Sequence, residues 1–244
     1  MRILKKLASL TALAGAITLT SITGAAMADD APKFMPNQST TAVLITDPQN
    51  DFMAETGAAW GLVGKNVTRL GTNDNIARLM RRAKDTDLVV VVSPHSYFDH
   101  DDHWHERGPI QSLMNQIDMF KVNGPTSYDG FEGSGADFYE PLKAMINDGE
   151  TIITSPHKVY GPESNDLVLQ LRKRGIQTVI LGGFAANLCT DSHMRELMEQ
   201  GFNVIVIKDA VGAPGEDAYD AAMLNAGMIA NAVWSTDEAV AFLK

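Results

Sequence analysis

Apolar residues in this chain come in uninterrupted runs, not in alternation, wherever a strand is expected. Ala42-Val43-Leu44-Ile45-Thr46 and Leu88-Val89-Val90-Val91-Val92 offer no polar face, so both sides of each strand must be covered. Between them, Asn73 to Lys84 places Ile76, Leu79 and Met80 at helical spacing. The unit repeats as strand 151–154, helix 164–174, strand 178–181, helix 189–200 closed by Gly201, strand 204–207, helix 217–230, strand 232–235 and a last helix from Asp237. The predicted class is α/β, a three-layer α-β-α arrangement around a mostly parallel six-stranded, Rossmann-like sheet.

One stretch breaks the rhythm. From Ser93 to Gly149 the chain is polar, with His95, His100, His103 and His105 interleaved with acids and followed by the turn-rich Gly130-Phe131-Glu132-Gly133-Ser134-Gly135. A connection this long in a compact domain is functional or has structure of its own. It reads as an excursion over the ligand-binding edge of the sheet, with a short helix near 139–146.

The N-terminus has a different logic. Arg2, Lys5 and Lys6 precede an uncharged stretch from Leu7 to Gly24 and the small-residue site Ala26-Met27-Ala28, the signature of a secretory signal peptide. Residues 1–28 are therefore expected to be removed, 29–40 to form a flexible arm, and 41–244 to form the folded domain of a periplasmic or secreted protein. Losing three positive charges and no negative one moves the formal net charge from -10 to -13. Such a chain repels nucleic acid and anionic membrane surfaces. With one cysteine it forms no internal disulfide.

Ligands of a parallel sheet bind at the carboxyl ends of its strands. Asp47, His95, Lys158 and Cys189 fall there, after the first, second, third and fourth strands, with Asp209 after the fifth. Cys189 opens a helix, where the dipole and free amides lower a thiol's pKa; as a lone cysteine it fits equally a small buried hydrophobe. A cysteine hydrolase needs a proton acceptor and oxyanion donors. Asp47 suits the first role, the amides before the helix the second, and Lys158 the charge balance. His193, one helical turn after Cys189, is a competing base. Phe52, Trp60, His95 and Tyr160 are candidate walls of a small-molecule pocket.

The segments Asp47-Pro48-Gln49-Asn50-Asp51-Phe52, Gly182-Gly183-Phe184-Ala185-Ala186-Asn187-Leu188-Cys189 and Val204-Ile205-Val206-Ile207-Lys208-Asp209-Ala210, in this order, resemble the isochorismatase-like cysteine hydrolase superfamily, which includes nicotinamidases and N-carbamoyl amidohydrolases. The resemblance implies an Asp-Lys-Cys triad: Asp47 as general base and acid, Cys189 as the nucleophile that forms a thioester, Ala185 and Cys189 amides as the oxyanion hole, and a cis Phe184–Ala185 peptide. The lysine is out of register. Pro156 falls on its usual position, and Lys158, two residues later, is assigned the role by a swing of the loop 156–162.

The implied activity is hydrolysis of a carbon–nitrogen bond in a small amide-like substrate. No cofactor is implied by the triad. Nicotinamidases of the superfamily hold a metal after the second strand through an aspartate and histidines; here His95 matches, Ser93 replaces the aspartate, and a divalent metal near His95 is the lesser alternative to none. Relatives often assemble as homo-oligomers. The competing functional class is a non-catalytic periplasmic binding protein, or a redox-sensitive thiol protein, on the same scaffold.

Overall fold

Every residue of β1 (Thr41–Thr46) is buried, because the strand has a core on each side. Val43 and Ile45 enter one apolar cluster, Ala42 and Leu44 the other. A computed structural model describes residues 34–244, and β1 is followed by β2 (Val89–Ser93), β3 (Tyr97–Phe98), β4 (Lys121–Val122), β5 (Ile152–Ile153), β6 (Thr178–Gly183), β7 (Asn203–Val211) and β8 (Ala232–Trp234). Six strands form one parallel sheet in the order β5-β2-β1-β6-β7-β8; β3 and β4 make a separate parallel pair. The strand order reverses between β1 and β6. Where it reverses, the connections leave in opposite directions and a crevice opens at the carboxyl ends.

The helices are α1 (Asn50–Met53), α2 (Trp60–Leu70), α3 (Thr72–Lys84), α4 (Pro109–Gln116), α5 (Glu140–Ile146), α6 (Leu167–Lys173), α7 (Cys189–Glu199), α8 (Glu216–Ile229) and α9 (Thr236–Phe242). Apolar side chains of α2, α3, α5 and α9 join the cluster on one face of the sheet, and those of α6, α7 and α8 join the other. The three-layer α/β expectation is met. Ile76, Leu79 and Met80 of α3 are fully buried, each contributing about 1.5–3 kcal/mol.

Three differences from the sequence reading have physical causes. Helix α2 has a weak sequence signal, since Gly61 and Gly64 lower helical propensity; yet a Cβ on Gly64 would lie 2.6 Å from the Trp60 ring, so glycine lets that indole fold back over its own helix. Strand β6 runs past its apolar residues because Gly182 and Gly183 still pair with Ile45 and Thr46. The 93–149 excursion holds β3, β4 and α4 besides the predicted α5.

The signal-peptide assignment, residues 1–28, lies outside the described residues. Of the expected arm, residues 34–40 lie on the domain: Phe34 packs against the core, and the Gln38 amide donates to the Lys244 carbonyl at 2.9 Å. No helix among the described residues is long and apolar enough to cross a membrane.

Candidate active site

Asp47 leaves β1 with φ of 49°, a left-handed conformation that Asp tolerates better than most residues. Its amide still donates to the Ser93 carbonyl at 3.0 Å, so the strand ladder aims its fully buried carboxylate into the crevice. His157 Nε2 donates to Asp47 Oδ1 at 2.8 Å. Asp47 Oδ2 has no hydrogen-bond partner.

Cys189 reaches the crevice from the other side of the reversal. At Gly183 φ is 117°, and a Cβ would lie 2.1 Å from the Thr46 carbonyl oxygen; only glycine lets β6 press against the end of β1. The Phe184 amide then bonds the Thr46 carbonyl at 3.1 Å, and its ring stacks on Phe52 at 5.2 Å. Ala186 donates to the Gly212 carbonyl at 2.7 Å, the chain turns, and Cys189 opens α7 almost completely buried. All peptide bonds among the described residues are trans, Phe184–Ala185 included, where the resemblance implied cis.

The thiol's electrostatics reverse the expectation from its helix position. Burial, and after it the Asp47 carboxylate, push its pKa well above the ordinary value, while the Ala185 and Cys189 amides, both directed at Sγ, pull the other way. Desolvation outweighs the dipole. The sulfur and the Asp47 carboxyl group face each other in the crevice.

The structure puts His157, not Lys158, against Asp47. His157 and His95 form a parallel bridge, with the His157 amide on the Pro94 carbonyl at 2.9 Å. In extended chain, neighbouring side chains point to opposite sides. His157 therefore enters the crevice and Lys158 leaves it. Lys158 Nζ donates to Asp101 Oδ2 at 2.6 Å and lies 3.2 Å over the Phe98 ring; burial lowers its pKa, opposed by Asp101.

The other two buried histidines flank this pair. His193 donates from Nδ1 to the Cys189 carbonyl at 2.7 Å and accepts from Ser93 Oγ at 2.9 Å through Nε2. Both nitrogens are engaged, so neither is left to take the thiol proton. Burial, then His157, depress its pKa to about 3. The His95 ring stacks on Phe120 at 5.0 Å and meets the His157 ring at 4.5 Å, tilted by 52°. Burial and then His157 hold it well below the ordinary value, and the backbone of Lys158 offsets this only in part. Neither His95 ring nitrogen has a partner in hydrogen-bonding geometry.

Gln49, inside the motif after β1 but with no role assigned to it by sequence, fixes His95. Its amide nitrogen donates to the His95 and Ala136 carbonyls at 2.8 and 2.6 Å, and its oxygen accepts the His95 amide at 2.8 Å. Asp51 has a similar tying role: its carboxylate takes the amides of Ala58 at 3.0 Å and Phe120 at 2.6 Å. The motif after β1 thus stitches the excursion to the crevice.

Of the residues expected to wall a pocket, His95 lines a cavity of about 850 Å³ together with Gln49, Phe98, Phe131 and Phe138. Phe52 is core, between Phe120 and Phe184. Trp60 packs half-buried against that core. Tyr160 and Tyr97 face the sulfur: burial and then the Cys189 charge raise both their pKa values. Asp209 accepts from the Thr236 amide and hydroxyl at 2.7 and 2.8 Å, which anchors α9 away from the crevice.

His100, His103 and His105 are exposed and do not converge; His100 meets Asp101 at 3.4 Å and His105 meets Glu106 at 2.8 Å. Among the described residues, one group has donor atoms close enough for a metal ion: Asp47, His95, His157 and Cys189, all buried.

Comparison with known proteins bears on the family and the fold. The family model of the isochorismatase domain matches residues 41–238. The isochorismatase family protein YecD of Escherichia coli O157:H7, itself uncharacterized, is 40% identical over 79 residues, 32% of this chain and 40% of that protein. A ureidoacrylate amidohydrolase, RutB of Methylorubrum extorquens, is 24% identical over 193 residues, 73% of this chain and 72% of the relative. In structure, a cysteine hydrolase from Pseudomonas syringae superposes with a TM-score of 0.70 at 19% identity, covering 88% of this chain and 98% of its own. A family model that spans nearly the whole described domain and a fold that matches solved members together place this chain in the isochorismatase family.

Proposed function

We propose that the protein hydrolyses a carbon–nitrogen bond of a small amide or ureide through a thioester on Cys189. The observation that carries this reading is the unpartnered Asp47 Oδ2, buried in the crevice with the Cys189 sulfur. His157 holds the other carboxylate oxygen, which leaves Oδ2 to receive a proton.

Asp47 takes the thiol proton as sulfur attacks the substrate carbonyl, and the Ala185 and Cys189 amides hold the oxyanion. Asp47 returns the proton to the departing nitrogen as the C–N bond breaks. It then deprotonates the water that cleaves the thioester, and the proton goes back to sulfur with release of the acid. His157 positions Asp47 and occupies the place the triad lysine was expected to fill. The amidohydrolase activity named for RutB supports an amide-type substrate, and the signal-like N-terminus supports work outside the cytoplasm.

The test is a panel of primary amides, ureides and carbamoyl amino acids, read as ammonia or amine release by the full chain and by Cys189→Ala. Release by the wild type alone is expected. Equal release by both would reject the thioester route.

The raised thiol pKa favours a second reading, a binding or redox-sensitive protein that does not turn over. That reading predicts binding of an amide from the panel with no release and no covalent adduct.

A further inference from the structure

We infer that Asp47, His95, His157 and Cys189 form a site for a soft divalent cation of the zinc class, and that filling it silences the thiol. The donor set is one carboxylate, two imidazoles and one sulfur, all within 4.8 Å of one another and all buried. Zinc takes four such ligands in a tetrahedron, with adjacent donors about 3.3–3.8 Å apart. The group therefore closes on an ion by side-chain rotations of about an ångström, with the His157–Asp47 hydrogen bond given up.

Unsatisfied buried polar atoms point to the same site. Asp47 Oδ2, His157 Nδ1 and both ring nitrogens of His95 lack hydrogen-bond partners, although buried polar groups in folded proteins are nearly always satisfied. The hydrolytic route uses Oδ2 and has no use for the His95 lone pair. Sulfur and imidazole together select zinc-like ions over magnesium or calcium. Charge also balances, since a doubly charged cation meets one carboxylate and one thiolate. Binding releases the thiol proton to solvent as the metal–sulfur bond forms. His95 also stands in the wall of the 850 Å³ cavity. The exposed His100, His103 and His105 supply an internal control.

Metal binding itself does not depend on the hydrolase reading; only the silencing does. The experiment is a titration of the metal-free full chain with Co²⁺, followed by the near-ultraviolet sulfur-to-cobalt charge-transfer band and the visible bands of a tetrahedral ion. The expected result is one equivalent bound with both signals present, displacement by Zn²⁺, loss of the charge-transfer band in Cys189→Ser, and at least about tenfold weaker binding in His95→Gln. His103→Ala and His105→Ala should bind as the wild type does. Circular dichroism checks the fold of each variant. Absence of the charge-transfer band in the wild type overturns the inference without recourse to any variant, and so does unchanged affinity in a folded His95→Gln. If amides are hydrolysed, one equivalent of Zn²⁺ should stop the reaction and a chelator restore it. Hydrolysis that continues with the site filled refutes silencing, whereas metal binding in a protein that hydrolyses no amide refutes the hydrolase alone.

Discussion

The six histidines of this chain divide into two trios that composition alone cannot tell apart. His100, His103 and His105 stand among aspartates on an exposed loop. His95, His157 and His193 are fully buried at the carboxyl edge of the sheet. In the exposed trio each charge has water, and the pairs that form contribute little. In the buried trio every proton and lone pair must be accounted for, and the unpaired atoms mark the reactive place. What separates the trios is desolvation, not residue type.

The largest expected effects lie in the buried group. Cys189→Ala should remove turnover by at least about 10⁴-fold and Asp47→Asn by about 10³-fold, measured as kcat/KM on any substrate the panel yields. If Asp47→Asn loses less than tenfold, the proton acceptor has been misassigned.

Next comes the contrast between two adjacent residues. His157→Ala should lower kcat by about 10–100-fold and alter the pH profile, because Asp47 loses its positioning partner. Lys158→Met should leave kcat within about threefold, yet cost about 1–3 kcal/mol in denaturant melts, since the nearly buried Asp101 loses its cation. Equal kinetic losses in the two variants would erase the distinction.

Acid should separate the trios by stability. Burial holds His193, faced by His157, Ser93 and the Cys189 carbonyl, down to about 3, whereas the unfolded chain protonates it below about 6.5. The unfolded state then binds the extra proton. Stability is full above about 6.5 and falls toward pH 3, by up to about 5 kcal/mol from this group. Urea melts between pH 7 and 4 should show the loss, and His193→Gln should shrink it; an unchanged slope in that variant would assign the acid sensitivity elsewhere.

Alanine at His103 or His105, the smallest perturbation, should change stability by less than about 0.5 kcal/mol and activity not at all.

The sheet was legible because doubly buried parallel strands write themselves as unbroken apolar runs, and the segments around Asp47 and Cys189 were legible because they sit where such runs end. The lysine position was not. Which of His157 and Lys158 turns inward depends on one β-bridge to His95, and neither residue carries an apolar pattern that sets a register. The sign of the thiol's pKa shift was hidden for a related reason: the helix dipole can be read from sequence, whereas the burial that overcomes it is a property of the packed crevice. Gln49 was equally silent, since its work is done through backbone groups that any sequence supplies.

The most direct test of the central claim is intact-mass spectrometry of the full chain quenched during turnover of an amide from the panel. A mass increase equal to the acyl group is expected, located on Cys189 by peptide mapping, released by hydroxylamine, and absent in Cys189→Ala. Turnover with no adduct at any quench time, together with hydrolysis undiminished in Cys189→Ala, would contradict it.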